Sequence, residues 1–243
     1  MNATPSSPRL PIVDALRGFA VAQMIVYHFI YDLNYFGWLQ LGMTRNQPWV
    51  GWRTAIVSQF LLLVGVSLVL RLAHKPGWRD FGWRWAQVAG AAALVSAGSW
   101  LMFGPRFISM GILHFIAVAL IIARLVAPLR EWNLLLAAGA FLAWLFLRDP
   151  AFNAAPANIL GFVTVKPRTE DYVPLFPWIA AVFTGLGLGA RWQRHGFALS
   201  PVCQGLNARP PRLLVVLGTW ALTVYLLHQP ILIGLLWLVR RLA

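Results

Sequence analysis

Four ionisable side chains interrupt an otherwise apolar stretch near the N-terminus, DALRGFAVAQMIVYHFIYDL at 14–33: Asp14, Arg17, His28 and Asp32. An imidazole that titrates near neutrality can take and return a proton, and a guanidinium, planar and always charged, grips phosphate oxygens in pairs. Read as a helix at about 100° per residue from Asp14, Arg17 falls at about 300°, His28 at about 320° and Asp32 back at zero, a stripe about 60° wide. Charge inside a bilayer is costly and turns toward a bundle interior or a wet cavity, so this stripe is expected to look inward. Plainer readings stand beside that one. Asp14 could be no more than the i,i+3 partner of Arg17 at the inner interface, and His28 a buried ring bonded to a carbonyl.

Other residues of the same chemistry fall at comparable depth. His114 lies in GILHFIAVALI, His228 in LLHQP beside Gln229 and a helix break expected at Pro230, and Asp171 opens DYVPLFPW. Their convergence toward one outer level suggests a shared polar site, with Pro174 and Pro177 stiffening its entry and Trp178 stacking on a substrate or anchoring the interface. His74 and His195 read as solvated. Cys203, the single cysteine, excludes an intrachain disulfide and has no histidine near it in sequence to activate a thiolate. GLGLGA at 185–190 lacks the spacing of a dinucleotide fingerprint; Gly185 and Gly189 instead form a small-xxx-small pair that lets helices approach.

These residues need elements that hold them in a membrane. The chain of 243 residues is 59% hydrophobic and 11% charged, with 13 Trp and 15 Phe, outside the range of soluble globules and rich in the rings that favour bilayers. The net charge of +13 sits in short clusters between apolar runs, a topology signal rather than a nucleic-acid face. The fold expected is an all-α, polytopic transmembrane bundle forming one domain over 1–243. About 20 apolar residues cross a core about 30 Å thick, and seven stretches meet that: 12–33, 53–71, 84–103, 107–127, 131–147, 173–191 and 213–239. The first resembles a signal peptide only superficially, since it carries charge and lacks a small-x-small cleavage site.

A cytoplasmic N-terminus places eleven basic residues inside: Arg9, Arg71, Lys75, Arg79, Arg84, Arg124, Arg130, Arg191, Arg194, Arg209 and Arg212. Eight fall outside, namely Arg45, Arg53, Arg106, Arg148, Lys166, Arg168, Arg240 and Arg241. The denser inner loops favour this orientation. The longest outer loop, 148–172, could then receive a polar substrate.

IVDALRGFAVAQMIVYHFIYDLNYFG, FLLLVGVSLVLR, GILHFIAVALI, DYVPLFPWIAAVFTGLGLG and LGTWALTVYLLHQP, in that order, resemble the bacterial membrane proteins grouped with the heparan-α-glucosaminide N-acetyltransferase catalytic domain. Arg17 and His28, ten residues between them, also resemble the Arg/Lys-x10-His pattern of the acyltransferase-3 superfamily. The resemblance implies a multi-pass protein of the bacterial inner membrane that moves an acyl group, acetyl first among them, from cytoplasmic acyl-CoA to a hydroxyl or amine of an extracytoplasmic, sugar-like acceptor. It implies Arg17 as the residue associated with the donor and His28 as the catalytic histidine. The chain departs from the lysosomal enzyme in having no histidine at 33–50, so an acetyl-histidine in that loop is not available. Acetyl-CoA or another acyl-CoA is the expected co-substrate, with no metal; expected partners are the acceptor, membrane lipid and a second copy of the chain, and no nucleic acid.

Spacing agrees with that role. Eleven helical residues carry Arg17 about 16 Å from His28, comparable with the reach of a pantetheine arm. His28 is then read as the general base, Asp32 or Asp171 as the group fixing its tautomer, and His114 or His228 with Gln229 as donors to the oxyanion. Two other classes remain open at this stage. The three intramembrane histidines could ligate haem in a b-type cytochrome, or Asp32, His28 and Asp171 could serve a proton-coupled carrier, although no inverted repeat supports one.

Overall fold

The computed structural model describes residues 10–242, so the predicted inner cation Arg9 lies outside the described residues. Among the described residues nine α-helices follow one another: α1 Pro11–Tyr35, α2 Gln47–His74, α3 Trp78–Phe103, α4 Ile112–Val126, α5 Asn133–Phe146, α6 Ile179–Arg194, α7 Pro201–Ala208, α8 Arg212–Thr219 and α9 Ala221–Leu242. Among the described residues there is no strand, only an isolated bridge between Met110 and Tyr172. The all-α class is as the apolar periodicity requires.

Among the described residues five stretches are long and apolar enough to cross a membrane: Pro11–Tyr35, Gln47–His74, Trp78–Arg106, Ile112–Phe146 and Ala221–Leu242. That is two fewer than the seven spans expected, and four places that decide the count or a boundary each have a local cause. Ile112–Phe146 is two helices, because Ala127–Trp132 tightens into a 3₁₀ turn with Pro128 at its start and Arg130 at φ 53°. α4 begins at Ile112 rather than 107, since the preceding backbone is held extended: Ser99 Oγ accepts from Ile108 N at 3.0 Å and Val173 N donates to Met110 O at 2.8 Å. α6 begins at Ile179 rather than 173, because Pro174 and Pro177 each disfavour helical backbone in the residue before them, Val173 and Phe176. The final stretch is divided at Trp220, between α8 and α9, after Gly218 and the β-branched Thr219. The break expected at Pro230 is absent, and α9 runs through it. Only one N–H is missing there, and membrane helices tolerate that loss where neighbours help.

The chain divides into two compact units, Met1–Phe60 with Leu199–Ala243, and Leu61–Ala198. In the first, α1 runs alongside α8 and α9, with the start of α2 and the short α7 completing it. Val21, Met24 and Tyr27 of α1 bury against Met43, Ile56 and Ala221. Asn207 of α7 accepts from Ile12 N at 3.1 Å, giving one of the four orphan donors at the start of α1 a partner. Contacts between Gly18 and Gly218, Arg17 and Gly218, and His28 and His228 advance together, so α1 and the α8–α9 pair run parallel.

In the second unit, α2 and α6 meet at Gly65 and Gly185. A Cβ on Gly65 would fall 2.2 Å from Val182 O, and one on Gly185 would fall 2.1 Å from Leu62 O. Gly189 lies against Val69, so both glycines of the small-xxx-small pair face α2. Phe115, Val182, Ile179 and Leu186 fill the interior. Segment 147–178 is ordered by polar contacts. Asn153 Oδ1 accepts from Thr164 N and Val165 N, Phe162 stacks on Phe176, and Tyr172 Oη donates to Asn158 O at 2.6 Å. Burial pushes the Tyr172 phenol up to about 12. Elsewhere large apolar side chains face outward, Trp83 at 72% and Leu101 at 87% exposure among them, as lipid-facing helices require and soluble surfaces avoid.

Candidate active site

The polar stripe of α1 meets α8 and α9 at successive levels. At its start, Arg17 Nη1 donates to Asp14 Oδ1 at 2.7 Å and to Gly218 O at 3.2 Å. The guanidinium is thus held by an i,i+3 carboxylate and a backbone carbonyl freed near the end of α8. Gly218 can offer that carbonyl because nothing but hydrogen separates its Cα from Asp14 O.

Ten residues beyond Gly18 and Gly218, His28 Nδ1 and His228 Nε2 lie 3.0 Å apart. The hydrogen positions follow from a third group. His228 Nδ1 lies 2.7 Å from Tyr225 O, and a carbonyl only accepts, so Nδ1 of His228 carries the proton. Its Nε2, in the neutral ring, then accepts from His28 Nδ1, and the lone pair of His28 is left on Nε2. The pair therefore consists of one ring, His228, that orients and another, His28, that keeps a basic nitrogen. The two histidines, which haem ligation would need to hold apart, instead hydrogen-bond each other.

One turn on, Asp32 Oδ1 accepts from Gln229 Nε2 at 2.9 Å. Asp32 is only 3% exposed, and its polar partner is Gln229 rather than the His28 ring it was expected to orient. His228 takes that place.

His114 and Asp171 belong to the second unit, each with local partners. Ser96 Oγ donates to Ile108 O at 2.8 Å, so it accepts from His114 Nε2, also at 2.8 Å. The N–H of neutral His114 is thereby engaged, and its buried Nδ1 has no partner among the described residues. In that tautomer the ring has no N–H left for an oxyanion, and Ser96, whose hydrogen points to a carbonyl, is not activated as a nucleophile. Asp171 Oδ2 accepts from Ile112 N at 3.2 Å, capping α4.

One signal for the α1–α9 pairing was present in the sequence. Pro11, Gly18 and His28 recur at identical spacing as Pro211, Gly218 and His228, and the two glycines and the two histidines are the residues that meet. The importance of Tyr225 had no such signal, because its carbonyl and not its side chain fixes the tautomer.

Apolar helices with outward-facing aromatic and aliphatic side chains, one pair of them joined by hydrogen-bonded histidines, make this a membrane protein with a candidate proton-transfer site. The chain belongs to the family "Heparan-alpha-glucosaminide N-acetyltransferase, catalytic", whose model matches residues 9–230. That range holds Arg17, His28, Asp32, His228 and Gln229, and it makes the protein acetyltransferase-like. No curated protein and no solved structure matches the chain.

Proposed function

We propose that the chain is one membrane acyltransferase domain that moves an acetyl group from cytoplasmic acetyl-CoA, or another acyl group from its CoA thioester, to a hydroxyl or amine of an extracytoplasmic glycan-like acceptor. The observation that carries the reading is the His28–His228 hydrogen bond at 3.0 Å, with Tyr225 O fixing its direction. It leaves Nε2 of His28 basic, as acceptor activation needs.

In the proposed reaction the acceptor's O–H or N–H gives its proton to His28 Nε2 as the oxygen or nitrogen attacks the thioester carbonyl carbon. The tetrahedral species collapses with cleavage of the C–S bond. The thiolate takes the proton back from His28, and CoA leaves as the thiol. While His28 is charged, the Nε2 lone pair of His228 accepts a hydrogen bond from its Nδ1–H and steadies the imidazolium, the part that a carboxylate plays in serine hydrolases. Gln229 Nε2 has a second hydrogen beyond the one given to Asp32 and is the better candidate for the oxyanion, since the N–H of His114 is engaged by Ser96. Arg17, about 16 Å down the helix, would hold a phosphate of the donor. Asp171 is assigned to shaping the outer face of the second unit.

The topology that goes with this reading has a cytoplasmic N-terminus and seven crossings, α8 and α9 counting as one. At 15, 14 and 16 residues, α4, α5 and α6 are short for a core about 30 Å thick and would rely on a locally thinned bilayer. Membranes containing the protein, incubated with labelled acetyl-CoA, should transfer label to a glycan or lipid-linked acceptor, and the His28→Ala protein should not. Equal labelling by a correctly inserted His28→Ala protein would remove His28 as the base. No labelling of any acceptor by the native protein would remove acetyl transfer.

A further inference from the structure

We propose that Asp32 is a neutral carboxylic acid, closed into a ring of two hydrogen bonds with the amide of Gln229, and that this clamp positions the histidine pair. Half of the ring is directly visible: Asp32 Oδ1 accepts from Gln229 Nε2 at 2.9 Å. The other half is visible as a shared deficit. Asp32 Oδ2 and Gln229 Oε1 are both buried with no partner among the described residues.

As a carboxylate, Asp32 would leave two acceptor oxygens facing no donor, one of them part of a charged group. Each orphan costs about 1–3 kcal/mol, and the charge costs more. Among the described residues no lysine or arginine is paired with Asp32, whose polar contact is the Gln229 amide. A single proton on Oδ2 removes both deficits, because the hydroxyl donates to Oε1 while Oδ1 keeps the bond from Nε2. The conclusion does not depend on how the amide is oriented. Turning Gln229 over exchanges the roles of the two carboxyl oxygens and yields the same ring.

The position of the ring gives it a purpose. Asp32 lies one turn beyond His28 on α1, and Gln229 directly follows His228 on α9. The clamp therefore ties the two helices together at the level next to the imidazole pair and holds His28 Nδ1 within reach of His228 Nε2. The titratable groups next to the ring, His28 on α1 and His228 on α9, hydrogen-bond each other. A carboxylate beside them would favour imidazolium, whereas a neutral acid leaves the lone pair on His28 Nε2. Asp32 is a positioning residue in this scheme. Its part in acyl transfer rests on the function proposed above, but its protonation does not.

The test uses the full chain purified in detergent. With seven acidic residues in all, the infrared C=O band of a protonated carboxyl at neutral pH can be assigned by substitution. It should vanish in Asp32→Asn and move in Gln229→Leu. Asp32→Asn keeps both ring bonds, since its amide can donate and accept, so its melting temperature and labelled-acetyl transfer should stay near native. Asp32→Ala should lose about tenfold in transfer, the equivalent of about one buried hydrogen bond, and should melt lower. A carboxylic-acid band unchanged by Asp32→Asn, or an Asp32→Asn protein as impaired as Asp32→Ala, would overturn the proposal. Should the native protein transfer no acetyl group, the infrared and melting measurements still decide the clamp, while the transferase reading fails separately.

Discussion

Gly18 of α1 and Gly218 of α8 lie backbone against backbone. A Cβ added to Gly18 would fall 1.8 Å from Leu214 O, and one added to Gly218 would fall 1.8 Å from Asp14 O. This approach brings the Gly218 carbonyl to Arg17 and sets the register that carries His28 to His228 ten residues later.

A methyl group at either glycine has no flexible side chain to displace, so the helices must part. Gly18→Ala and Gly218→Ala should each destabilise the protein by about 1–3 kcal/mol or more, as overpacking does. Gly90→Ala and Gly98→Ala in α3, where a Cβ meets nothing within 4 Å, should be neutral or stabilising by about 0.5–1 kcal/mol. Thermal unfolding in one detergent compares all four.

The histidine pair is directional, so its members should not be equivalent. Loss of the basic nitrogen in His28→Ala should lower acetyl transfer by about 10²–10⁴-fold, the usual contribution of a general base. His228→Ala removes the acceptor that orients His28 but leaves a base in place, and should cost about 10-fold to 100-fold, between a lost hydrogen bond and a lost base. Turnover measured for both with labelled donor checks the order. Equal losses would contradict the tautomer deduced from Tyr225 O.

Ser96→Ala separates structure from chemistry in the second unit. It leaves the His114 N–H without its acceptor, which should cost about 1–3 kcal/mol of stability. Acetyl transfer per folded molecule should be unchanged, because neither Ser96 nor His114 is assigned a step. A large loss of turnover in a stably folded Ser96→Ala protein would restore His114 to the reaction.

The Tyr172 phenol, raised by burial from its ordinary 10.0 to about 12, gives a pH signature. Above the unfolded value the unfolded chain releases this proton while the folded chain keeps it, so folding loses stability as pH rises. The contribution is whole below pH 10 and declines through about pH 12. Tyr172→Phe should show a shallower fall in melting temperature across that window than the native protein, and it should lack the latest-titrating tyrosinate absorbance. An identical fall in both proteins would show that Tyr172 is not the group responsible.

Helical periodicity alone puts Asp14, Arg17, His28 and Asp32 on one stripe, since 3.6 residues per turn is a local property of the backbone. Apolar runs of about 20 residues likewise point to membrane helices, because a helix needs that length to cross the bilayer whereas a spanning strand needs only about ten. Proline chemistry, by contrast, misled in opposite directions. Pro174 and Pro177 delay α6 to Ile179, whereas Pro230 leaves α9 unbroken and the division comes at Trp220. Local propensity counts the missing donor in each case, but only the surroundings decide whether the freed carbonyl is tolerated.

The repeat of Pro11, Gly18 and His28 as Pro211, Gly218 and His228 was legible in the chain, and with it a basis for pairing α1 with α8 and α9. What the tertiary structure decided is what each polar group does there. Asp32 turned to Gln229 instead of His28, His228 became the orienting ring, and His114 was claimed by Ser96. The reason is physical. A hydrogen bond between residues 200 positions apart is specified by how two helices pack and by which lone pairs remain, and neither is a property of the local sequence.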